Sequence, residues 1–79
     1  MTKEELRHKL RAEGVRDDAY NLGGESVDES YVLQREGDFW VVYYSERGLR
    51  SGATLFITED EACAYLCERL HRDPTTKQP

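Results

Sequence analysis

The feature that most constrains this chain is the run Phe39-Trp40-Val41-Val42-Tyr43-Tyr44. Six consecutive β-branched and aromatic residues are too few for a membrane span, which needs about 20, but well suited to a strand. Side chains alternate along a strand, so Phe39, Val41 and Tyr43 point to one face and Trp40, Val42 and Tyr44 to the other. Both faces are apolar. The strand therefore lies inside a sheet, and each face needs a cover.

The covers available are limited. The chain has 79 residues, room for one domain with a small core. Thr2-x-x-Glu5 is a capping box opening a helix over residues 3–13, with Met1 and Leu6 at the staple positions. Leu6 and Leu10 form its narrow apolar stripe. Gly14 is placed to end it, with Val15 folding back on Leu10 in a Schellman arrangement. Thr58-x-x-Glu61 repeats the box at the far end of the chain, with Ile57 and Ala62 at the staple positions. Three acids follow at the positive end of that helix dipole. Ala62, Cys63, Leu66, Cys67 and Leu70 recur at helical spacing, and Pro74 stops the helix.

Between the helices, Tyr31–Arg35 and Phe39–Ser45 read as strands joined by a tight Glu36-Gly37-Asp38 turn. A connection over residues 46–52 leads to a third strand near Ala53–Ile57. Ala19–Leu22 is placed as an optional edge strand broken by Gly23-Gly24. The fold class expected is α+β: an antiparallel meander of three to four strands, αβββα, with both helices packed on one face. Residues 1–72 form the single domain and residues 73–79 a flexible tail. The second face of the sheet is left for the 16–29 loop, a second copy of the chain, or a partner.

Charge is unevenly spread. The net charge is -5, and residues 13–38 hold eight acids against Arg16 and Arg35. Such a field repels nucleic-acid phosphates and attracts basic proteins, or it simply keeps a small domain in solution. Met1-Thr2-Lys3-Glu4-Glu5 has no apolar h-region, so no secretory signal is read and a cytoplasmic, soluble protein is expected.

Chemistry-bearing patterns are sparse. Cys63, Cys67 and His71 fall at i, i+4 and i+8, a ladder too long for one ion, and both thiols share the leucine stripe. Buried free thiols are expected, with no metal and no cofactor. His8 lies among Arg7, Lys9 and Arg11, His71 sits at a helix end, and the glycines form no phosphate-binding motif. An enzyme is not expected. The segment Tyr44–Gly52 reads either as a plain hairpin connection, with Glu46 paired to Arg47 or Arg50, or as an exposed binding loop.

Taken together, the capped first helix, Ala19-Tyr20-Asn21-Leu22, Phe39-Trp40-x-x-Tyr43-Tyr44-Ser45-Glu46-Arg47-Gly48 and Phe56-x-x-Glu59-Asp60-Glu61-Ala62-Cys63-x-Tyr65 resemble a group of small bacterial proteins. Those are the immunity proteins encoded beside polymorphic or contact-dependent toxins. The resemblance spans residues 2–70 and implies neutralisation of a cognate toxin domain by tight non-covalent binding. It carries no contact residues with it. From charge and residue type, the contacts expected are Asp17, Asp18, Asp28 and Glu29, with Tyr20 and Tyr44 as aromatic anchors and Glu46 at the loop edge. The alternative is a generic interaction domain that homodimerises through its exposed sheet face.

Overall fold

A computed structural model describes residues 1–23 and 29–76. In chain order it contains α1 (Lys3–Ala12), a 3-10 turn (Asp17–Ala19), β1 (Tyr20–Asn21), β2 (Ser30–Glu36), β3 (Phe39–Glu46), β4 (Leu49–Phe56), α2 (Glu59–Arg72) and a second 3-10 turn (Pro74–Thr76). The four strands form one sheet in the order β1-β2-β3-β4. The fold is α+β, with N- and C-terminal helices on a mixed sheet.

The sheet departs from an all-antiparallel meander at one edge. Strands β2, β3 and β4 pair antiparallel, but β1 runs parallel to β2, with Tyr20 opposite Tyr31 and Asn21 opposite Val32. Short separations between strands suggested hairpins throughout. β1 instead starts from the same end of the sheet as β2 and contributes only two residues to the ladder.

Both hairpin turns have two residues. Gly37 takes φ +63 in the first, the type II′ position that needs it. In the second, Glu46 faces Leu49, so β4 begins four residues earlier than expected and no long 46–52 connection exists. Its central residues Arg47 and Gly48 both have positive φ, 52 and 78, the type I′ geometry. Further along, β4 slips by one residue between Val42 and Tyr44. Gly52, with φ +65, absorbs the extra residue as a β-bulge.

The helices lie on one face, as their narrow stripes require. Leu6 and Leu10 of α1 meet Ala62, Cys63, Leu66, Cys67 and Leu70 of α2 over Leu33 and Val42 of the sheet. Burying a leucine of this kind contributes about 2 kcal/mol, so two of them suffice to dock a ten-residue helix. Val15, Ala19, Tyr20 and Leu22 join the same core. Residues 15–22 therefore belong to the helix side and do not cover the opposite face.

The ends of α1 follow the sequence closely. Thr2 accepts from the Glu5 amide at 3.2 Å while the Glu5 carboxylate accepts from the Thr2 amide at 3.1 Å. At the other end Val15 N–H donates to Leu10 O and Gly14 N–H to Arg11 O, the paired bonds of a Schellman motif. The entry to α2 is only half a box. Thr58 accepts from the Glu61 amide, but the Glu61 carboxylate takes the Thr58 hydroxyl rather than its amide. Nor does Ile57 staple onto Ala62, because its side chain is exposed.

The two helices run side by side in the same direction, and each end is tied. Glu59 of α2 accepts from the Lys3 amide at 3.0 Å, satisfying one orphan donor of α1, and Asp60 holds the Met1 ammonium. At the C-terminal ends Glu13 meets His71. The flexible tail expected over residues 73–79 does not begin at Asp73. Thr76 is buried, its hydroxyl shared between Leu70 O and Asp73 O, each at 2.8 Å, and its carbonyl accepts from Arg16 N–H at 2.8 Å.

Candidate partner-binding surface

The face of the sheet without helices is covered unequally. Val32, Val41 and Tyr43 form a small buried cluster there. Arg50 lies across the Tyr43 ring at 4.5 Å and pairs with Glu36 at 2.6 Å, while the Tyr43 hydroxyl donates to Gln34 at 3.3 Å. These side chains cap the middle of the face. Toward the start of β3 and the end of β4 the apolar surface is open: Phe39 is 42% exposed, Leu55 61% and Ile57 82%. Leu55 stands opposite Val41, Phe39 lies one alternation before Val41 on β3, and Ile57 follows the end of β4. Beside them β4 is the outer strand, eight residues long, with one side of its backbone unpaired within the sheet.

The residues expected to make contacts do not converge on one patch. Asp17 and Tyr20 line a cleft of about 300 Å³ with Arg7 and Arg11. Glu29 and Tyr44 line another of about 180 Å³, with Arg16, Tyr31 and Asp73. Glu46 borders a third of about 380 Å³ with Arg47, Leu49 and Arg50. Asp28 lies outside the described residues. Each acid group thus faces arginines of its own: Asp17 pairs with Arg11 and Asp18 with Arg16, both at 3.6 Å. The two aspartates remain 72% exposed, so these pairs contribute at most about 1 kcal/mol and leave the carboxylates accessible.

Tyr20 is unsuited to the anchoring role assigned to it. It is only 9% exposed, and burial, then the neighbouring Asp17 carboxylate, raises its phenol above the ordinary range. Tyr44 is half-buried and edge-on to Tyr31 at 5.0 Å, its pKa raised by burial and then by Glu29 and Glu46. Tyr31 donates to Asp73 at 3.1 Å. The Thr75 hydroxyl and amide hold the Asp73 carboxyl below its usual range, with Tyr31 and Arg16 adding to the effect. Arg16 Nε is buried in this region without a hydrogen-bond partner among the described residues.

Two groups escaped the sequence. Asp73, Tyr31 and Arg16 come from three distant segments, and no local pattern joins them. The exposed Leu55 and Ile57 look like any alternating strand residues until the helices are placed. Both cysteines are buried and neither is in a disulfide, as the leucine stripe required, and burial pushes the Cys63 thiol up to about 11. Among the described residues no helix is long and apolar enough to cross a membrane. Compared with known family models, curated proteins and solved structures, the chain matches none of them.

Proposed function

We propose that this chain is a stoichiometric protein-binding inhibitor, an immunity protein that neutralises a cognate toxin domain by tight non-covalent association in the cytoplasm. One observation carries the reading: Phe39 and Leu55 stand exposed on the sheet face the helices leave uncovered, with the exposed Ile57 just beyond the end of β4. A cluster of large apolar side chains next to an unpaired strand edge is a surface suited to another macromolecule. The net charge of -5 supports a basic partner, with the exposed Asp17, Asp18, Glu29 and Glu46 steering its approach.

The test is co-expression with the toxin-domain reading frame adjacent to its gene, scored for survival and co-purification. Leu55→Asp combined with Ile57→Asp should abolish both, while thermal unfolding changes little because both side chains already face solvent. Full protection by the double variant would exclude this face. The free β4 edge also suits a second reading, homodimerisation by edge-to-edge pairing. Light scattering separates the two: a dimer that dissociates in the double variant favours self-association, and a monomer favours the toxin partner.

A further inference from the structure

We propose that Cys67, His71 and Glu13 form a binding site for a single divalent transition-metal ion, zinc by preference, which clips the C-terminal end of α1 to α2. Cys67 and His71 are one turn apart on α2, and Cys67 Sγ lies 3.7 Å from His71 Nε2. An ion bound at about 2.3 Å from sulfur and about 2.05 Å from nitrogen, with tetrahedral angles, separates those atoms by about 3.5 Å. The two donors already stand at that bite. Glu13, the residue capping α1, brings Oε1 to 2.6 Å from the same Nε2, and all three donor atoms fall within 4.8 Å of one another.

Thiolate, imidazole and carboxylate form a mixed donor set that suits zinc better than calcium or magnesium, which take oxygen. Coordination requires the Glu13–His71 contact to open from 2.6 Å to about 3.3 Å. The side chains of Glu13 and His71 are 33% and 38% exposed, so that adjustment occurs at the solvent rim, where an ion also enters. Cys67 loses one proton to solvent on binding, and a fourth position faces water. Cys63, one turn earlier, is not part of the set. The ladder of Cys63, Cys67 and His71 spans too far for one ion, and the third ligand comes from across the helix pair instead.

The test uses the full chain, reduced and stripped of metal. Titration with cobalt(II) should produce a thiolate-to-cobalt charge-transfer band that saturates at one ion per chain and is displaced by zinc. His71→Ala and Cys67→Ala should each weaken binding by more than about tenfold, the loss that removing even an outer-shell partner brings. Glu13→Gln should weaken it in the same direction, and Cys63→Ala should leave the band in place. Zinc should raise the melting temperature of the native chain and not that of His71→Ala. Absence of the band in the native chain, or its persistence in His71→Ala, overturns the site. His71→Ala alters an exposed side chain, so its result decides the matter whatever the cysteine variants do to the core.

Discussion

At the scale of single residues, the most informative position is Arg47. It is the first central residue of a type I′ turn and holds φ 52, a conformation that costs a side chain with Cβ roughly 1–2 kcal/mol and that asparagine tolerates far better. Arg47→Asn should therefore raise the urea midpoint, by about 0.5–1 kcal/mol of stability, with an unchanged m-value. An unchanged or lower midpoint would mean that the arginine makes a compensating contact. The cysteines follow a different logic. Cys63 is buried and its thiol is pushed up to about 11, which makes it a packing residue, whereas Cys67 one turn later reaches His71 at the solvent rim.

At the scale of elements, α2 is the organiser. It covers the sheet, ties the start of α1 through Glu59 and Asp60, and ties its end through His71. The turn after it extends this role, because Asp73 accepts from Tyr31 of β2 and from Thr75. The depressed Asp73 pKa has a definite sign for stability. Its folded value lies below the ordinary 3.8, so the carboxylate stabilises the fold above that value and the contribution is lost as pH falls through the lowered one. Asp73→Asn should be less stable than the native chain at neutral pH, and the gap should close as the pH falls below about 3.8 through the lowered value. Urea midpoints across that range measure it. A gap that stays constant would mean that shape, not charge, matters there.

At the scale of the whole molecule, the two faces of the sheet have different fates. One is sealed by the helices and by residues 15–22; the other keeps its apolar end open. Charge acts over longer distances. Asp17, Asp18, Glu29 and Glu46 are spread around several clefts beside arginines rather than gathered in one acidic patch. Their effect on a basic partner should then lie in encounter more than in the bound state. Changing all four to Asn or Gln should lower the association rate and flatten its salt dependence, with little change in dissociation. A faster dissociation instead would place these acids inside the interface.

Local pattern alone dictates both helices, the capping box and Schellman end of α1, the two central strands, the glycine turn and the buried thiols. Those follow from periodicity and from backbone groups that must be satisfied within a few residues. It also calls for cover on both faces of β3, which the fold supplies over Val41 and Tyr43 but not over Phe39. Long-range packing set the parallel edge, the docked Thr76, the burial of Tyr20 and the meeting of Glu13 with Cys67 and His71. Each depends on where segments far apart in the chain come to rest, which close packing of the whole core selects and no local pattern encodes.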